Sequence, residues 1–120
     1  MISSLMLRVS TVLLLAGMVL GIVMGIRENF QLAPAHAHLN LIGFVLMFLV
    51  GLYYRIVPVA GKGLLAGTQA GLHMLGAIAL PCGIALADLG GTQALAIVGS
   101  LIVLTAMALF ALIVFRTVAA

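Results

Sequence analysis

Charged side chains are scarce in this sequence. They make up 6% of its 120 residues, against about 25% in a soluble globular domain, and that shortage excludes an ordinary water-soluble fold. Tryptophan is absent, cysteine occurs once and proline three times. The lone Cys82 rules out an intrachain disulfide and a four-cysteine metal site. The formal charge of +3 and the pI near 9.8 come from five basic residues spread singly along the chain. These form no patch of the kind that binds nucleic acid, so no nucleic-acid partner is expected. What remains is apolar, with 66% hydrophobic residues and a mean hydropathy of +1.44.

The seven charges, Arg8, Arg27, Glu28, Arg55, Lys62, Asp88 and Arg116, divide the chain almost evenly. Uncharged runs of 18, 26, 25 and 27 residues separate Arg8 from Arg27, Glu28 from Arg55, Lys62 from Asp88 and Asp88 from Arg116. Each run suits one membrane-spanning helix, which needs about 20 apolar residues at 1.5 Å per residue. We therefore expect an all-α polytopic membrane protein, a single four-transmembrane-helix bundle. Its helices should run about Leu5–Ile26, Ala35–Val57, Leu64–Ala87 and Gln93–Phe115, leaving no room for a soluble domain. Arg8, Arg55, Lys62 and Arg116 fall at the two termini and the second loop, which the positive-inside rule places in the cytoplasm. The first span, followed by Ala33-Pro34-Ala35, has the outline of a signal peptide. Its apolar core is longer than the usual 7–15 or so residues, and polar residues intervene, so it is read as a mature helix.

Breakers and small residues set the details. Pro34 suits the first turn of helix two, where the missing N–H is tolerated; Pro58 closes that helix, and Pro81 should kink helix three and free a carbonyl about one turn earlier. Gly17, Gly21 and Gly25 on helix one, and Gly63, Gly67 and Gly71 on helix three, recur every fourth position. Each set forms a smooth face for close packing in lipid. Helix four carries only Gln93, Ser100 and Thr105 as polar content before Arg116 and reads as a packing or lipid-facing element.

Chemistry, if any, lies with three histidines. His36 and His38 open helix two and His73 lies in the first half of helix three. An ionisable residue inside a membrane is by default a functional-site hypothesis. Two residues apart on a helix, His36 and His38 point about 200° apart, so they do not readily chelate one metal. His36, Asn40, Gly43, Met47 and Tyr54 share one polar and small stripe; His38, Ile42, Val45, Leu49 and Leu52 share the opposite, aliphatic one. A histidine above an aliphatic face suits a porphyrin set edge-on to the helix. The alternative is that both histidines cap the outer end of helix two near the headgroups.

The run Ala35-His36-Ala37-His38-Leu39-Asn40-Leu41-Ile42-Gly43-Phe44, continuing through Gly51, Tyr53 and Tyr54 to Pro58, resembles the tenth transmembrane helix of the catalytic subunit of haem-copper oxidases. The likeness is greatest to the C-type oxidases and nitric oxide reductases. The family pattern is Ala or Thr, His-x-His, a glycine five residues after the second histidine, and an apolar run ending in proline. The resemblance implies haem ligation from opposite faces of one helix, with His36 on the high-spin haem and His38 on the low-spin haem. His36, His38, Asn40 and Gly43 are accordingly the expected cofactor-binding residues. It covers about Ala33–Pro58; Gly71-Leu72-His73-Met74-Leu75-Gly76 is similar to the start of the family's next helix, where the histidine is no haem ligand. Short four-helix subunit I-like proteins match the size and this segment better than the full subunit.

The full subunit has twelve helices and takes its copper from histidines on other helices, none of which is present here. A single-chain oxygen-reducing centre is therefore not expected, and no catalytic residue is assigned. His73 is too far from His38 to share an iron, about 16 Å apart in depth at 1.5 Å per residue. It is expected to be a buried neutral imidazole bonded to a carbonyl, such as one freed at Pro81, with a metal role less favoured. Met47 and Met74 are read as packing. Copies of His36 or His38 in neighbouring protomers share one depth. The expectation is thus a homo-oligomer, trimer or dimer, that holds haem b between chains in the bacterial inner membrane. It would serve electron transfer with a quinone or another respiratory-chain partner. Alternatives are a five-coordinate haem that binds NO, O2 or CO or acts as a weak reductase, a cofactor-free structural or assembly partner of a respiratory complex, and, less favoured, histidine-bound copper.

Overall fold

Four apolar runs become four helices in the computed structural model, which describes residues 1–118. They are α1 (Ile2–Arg27), α2 (Ala33–Ile56), α3 (Gly63–Asp88) and α4 (Ala94–Val118), each long and apolar enough to cross a membrane. No strand occurs among the described residues. The chain is thus an all-α four-helix bundle with the build of a multi-pass membrane protein. Three helices take up a charged residue expected to lie beyond them, Arg27 in α1, Asp88 in α3 and Arg116 in α4, and α1 and α2 begin earlier than expected, at Ile2 and Ala33. Glu28 ends α1 in the left-handed region, φ 51°, and its N–H returns to the Gly25 carbonyl, the usual way of satisfying a final turn. Pro34 sits in the first turn of α2. Gly90, at φ +93°, makes the reversal after α3 that other residues resist.

The outer helices bury narrow seams and the central ones bury broad faces. On α1, Ser3, Ser10, Gly17 and Met24 recur every seventh position with Met6 beside them; on α4, Gly99, Ala106 and Ile113 do the same. Such a seven-residue repeat is the seam of helices packed at a shallow angle. Only 17% of the apolar window is buried in α1 and in α4, against 33% in α2 and 39% in α3. The α2–α3 pair therefore forms the centre, and the remaining faces of α1 and α4 are left for lipid.

Small residues set the closest contacts. A Cβ on Gly99 would come within 2.8 Å of the Leu80 backbone, and one on Gly83 would strike the backbone of Ala96. The α3–α4 hairpin therefore depends on both glycines. The expected face Gly63, Gly67 and Gly71 is not used inside the chain: a Cβ on any of them meets nothing within 4 Å. The reason is that α3 turns Gln69, His73, Gly76 and Ala77 inward and so carries Gly67 and Gly71 outward. At the end of the bundle that holds the termini, Phe110 of α4 meets Tyr53 and Tyr54 of α2 edge-on, with ring centroids 5.4 and 6.0 Å apart. The Tyr53 hydroxyl is also hydrogen-bonded to that of Thr117.

One feature of α2 departs from the expected regular helix. Between Leu39 and Leu46 its hydrogen bonding widens to the i→i+5 pattern of a π-helix. Each residue there turns less than in an α-helix, and the phase of the helix slips. Ile42, which shares the aliphatic stripe of His38 by regular spacing, is buried, while Val45, Leu49 and Leu52 of that stripe are exposed. Gly43, Met47 and Tyr54 remain on the inward face as their spacing predicts.

Candidate functional site

His36 and Asn40 lie one turn apart on the side of α2 that meets α1. Asn40 Nδ2 lies 3.3 Å from His36 Nε2. An amide nitrogen only donates, so Nε2 accepts and the imidazole proton is on Nδ1. That Nδ1 and the Asn40 Oδ1 are both buried without a hydrogen-bond partner. The glycines of α1 make room for this pair. A Cβ on Gly21 would sit 3.0 Å from His36 Cε1, and one on Gly17 would collide with Asn40 Oδ1. Two of the three glycines expected to form a packing face on α1 therefore receive these side chains, while Gly25 meets nothing. Gly43 also faces α1, with its missing Cβ 3.1 Å from Leu13 Cδ1. Of the four expected cofactor-binding residues, His36, Asn40 and Gly43 are thus packed against α1 within the chain. No planar cofactor can approach the His36 ring from that side.

His38 is held differently. Its Nδ1 lies 2.7 Å from the Pro34 carbonyl, and because a carbonyl only accepts, Nδ1 carries the proton. Nε2 then bears the free lone pair. Below it along the same face, Leu41, Val45, Leu49 and Leu52 are all exposed. His36 and His38 thus sit on different sides of α2, one against α1 and the other on an aliphatic surface. A proline at position 34 contributes twice: it starts the helix, and its carbonyl fixes the tautomer of His38.

His73 has both ring nitrogens engaged. Nε2 donates to the Ile42 carbonyl at 3.1 Å, and Nδ1 receives the Gln69 amide at 3.5 Å. Gln69 Oε1 accepts from the Tyr54 hydroxyl at 2.9 Å. All donors point one way, which requires a neutral imidazole with its proton on Nε2. The carbonyl expected at the Pro81 kink is replaced by one from the π segment of α2, where wider turns leave backbone acceptors for side chains. His73 and Gln69 have no exposed surface, and the chain Tyr54–Gln69–His73–Ile42 ties α2 to α3 where water cannot substitute. Sequence reading missed Gln69 and the role of Tyr54. The available signal was the spacing of Gln69 and His73, four residues apart on one helical face.

Among the described residues no three His, Cys, Asp or Glu side chains converge, which leaves no protein-only metal cage within one chain. Comparison with protein-family models, with curated proteins and with solved structures returns no match.

Proposed function

We propose that this chain is a homo-oligomeric b-type haem-binding membrane protein related to the haem-copper oxidase catalytic subunit and engaged in electron transfer, with His38 as its iron ligand. The observation that carries the reading is the state of His38. A ligating imidazole characteristically donates its other N–H to a carbonyl or carboxylate, which fixes tautomer and ring orientation. The Pro34 carbonyl does this for His38, leaving Nε2 as the free donor atom on a helix whose Leu41, Val45, Leu49 and Leu52 are exposed. These are the features by which His38 would fit a haem: one oriented nitrogen donor and an apolar surface for the ring. His36 does not fit within one chain, because α1 occupies its face.

With one suitable histidine per chain, His38 of another copy, at the same membrane depth by symmetry, would complete the hold on the haem. A haem held by two such histidines would supply one-electron transfer. The unused glycines Gly67 and Gly71 on α3 offer a surface for close association of chains. The positive-inside distribution supports both termini on the cytoplasmic side; in a bacterial inner membrane a quinone or respiratory-chain partner would exchange electrons with it. The count of one histidine also favours a second reading: if no partner chain contributes, a haem held by His38 alone would bind NO, O2 or CO.

Spectra of the purified wild type, His36→Ala and His38→Ala, reduced and oxidised, with and without CO, test this. The expected result is a Soret shift on reduction that survives His36→Ala, disappears with His38→Ala and does not respond to CO. A CO response in the wild type selects the gas-binding reading. Absence of any Soret band in wild type reconstituted with haem b overturns both and leaves a structural or assembly role.

A further inference from the structure

We infer that the cleft between α1, α2 and α3 is a binding site for an anionic phospholipid, with one acyl chain in the cleft and the phosphate at Arg27. Two cavities meet here. The larger, about 280 Å³, exposes no polar atom and is walled by Ala16, Ala35, Leu39, Pro81 and Ala85. The small side chains Ala16, Ala35 and Ala85, one from each helix, are what leave the space. The smaller, about 120 Å³, is lined by Arg27, Asn29 and Gln31. Leu20 and Leu32 line both, so the two form one cleft with an apolar trunk and a polar mouth.

The mouth is matched to a phosphate. Arg27 is exposed at the end of α1 and presents a guanidinium fork that suits phosphate oxygens. The Asn29 Oδ1 is taken by the Gln31 N–H and the Gln31 Nε2 by the Asp88 carbonyl. What these two amides leave free is the Asn29 Nδ2 donor for the phosphate and the Gln31 Oε1 acceptor for a headgroup hydroxyl. The trunk has the right length. From Leu13, at its deep end, to Arg27 is 14 residues of helix, or about 21 Å at 1.5 Å per residue. Half of a bilayer including its headgroup region is about 20–22 Å. The cleft therefore reaches from headgroup level to the midplane, as one lipid of one leaflet does. A free quinone offers Arg27 only neutral carbonyl acceptors, and a zwitterionic phospholipid brings its own cation beside its phosphate, so each gains less from Arg27 than a headgroup of net negative charge.

The whole chain, purified in mild detergent, delipidated and titrated with phosphatidylglycerol or phosphatidylcholine, tests the site by native mass spectrometry. Alkylation of Cys82 is followed in parallel, since this thiol is exposed and lies in the trunk. The expected result is one phosphatidylglycerol per chain, bound about five-fold more tightly than phosphatidylcholine, the effect of a single basic residue near an anionic lipid. Phosphatidylglycerol should slow Cys82 alkylation. Arg27→Gln should remove the headgroup preference and keep chain binding, Ala16→Phe should abolish both lipids' binding and the protection, and Arg116→Gln, at the opposite end, should change neither. Equal retention of the two lipids by the wild type overturns the inference, as does phosphatidylglycerol protection that persists in Ala16→Phe. If Ala16→Phe fails to fold, the Arg27→Gln headgroup test decides alone.

Discussion

Two polar clusters are buried in this bundle, and they are built to opposite standards. In the Tyr54–Gln69–His73 chain every link between α2 and α3 has a donor facing an acceptor. In the His36–Asn40 pair, between α2 and α1, one contact is made and two buried atoms, His36 Nδ1 and Asn40 Oδ1, are left over. A satisfied network adds about 0.5–1.5 kcal/mol for each hydrogen bond, whereas an unsatisfied buried group costs about 1–3 kcal/mol. The difference separates two uses of polarity in an apolar protein. The His73 cluster holds helices together, and the His36 cluster places polarity where folding gains little from it.

The comparison breaks most readily at His73. His73→Ala removes the donor to the Ile42 carbonyl and the acceptor of Gln69, and leaves a void among residues with no exposed surface. The expected loss is about 3 kcal/mol, combining cavity and unpaired groups, read as a lowered unfolding midpoint in mixed micelles. A loss as small as that of an exposed substitution would mean that the network contributes nothing. Gln69→Leu is next: it deprives the Tyr54 hydroxyl of its acceptor and should cost about 1–2 kcal/mol. Because Gln69 and His73 belong to one chain of bonds, the double variant should cost less than the sum of the singles. Strict additivity would show that the two side chains act separately.

On the other side of the comparison, Gly17→Ala forces a methyl group onto Asn40 Oδ1. Overpacking of this kind costs about 1–3 kcal/mol. The prediction is sharpened by rescue: with Asn40→Ala also present, the methyl group finds space and most of the loss should return. A Gly17→Ala penalty that persists in the double variant would mean that α1 meets α2 through something other than this pair.

The sequence showed the spans clearly because seven charges and their spacing are a coarse signal, and the α1 glycines and the inward stripe of α2 followed from periodicity. The slip in phase did not. Nothing in Leu39-Asn40-Leu41-Ile42-Gly43 distinguishes an i→i+5 turn from an α-helical one by composition, so the burial of Ile42 beside the exposed Val45, Leu49 and Leu52 is not legible there. The same slip brings the Ile42 carbonyl to His73, a pairing 31 residues apart in sequence that no local pattern encodes. Within the candidate site, the angular separation of His36 and His38 was legible from helix geometry. Which of them stays accessible was not, because it depends on where α1 docks.

The smallest effect is the most telling. Asn40→Ala removes one long contact to His36 and at the same time removes the buried, unpaired Oδ1. The two changes oppose each other. Losing a neutral hydrogen bond costs about 0.5–1.5 kcal/mol, and relieving an unsatisfied acceptor returns about as much, so stability should move by no more than about 0.5 kcal/mol. Gln69→Leu, by contrast, deletes a side chain of similar chemistry whose groups are all paired. Measured side by side in the same micelles, these two amide deletions isolate satisfaction from polarity as such. Equal losses would show that the His36 pair is as much a structural bond as the His73 chain. A clear loss for Gln69→Leu alone would leave the polarity of His36 and Asn40 without a part in holding the bundle together.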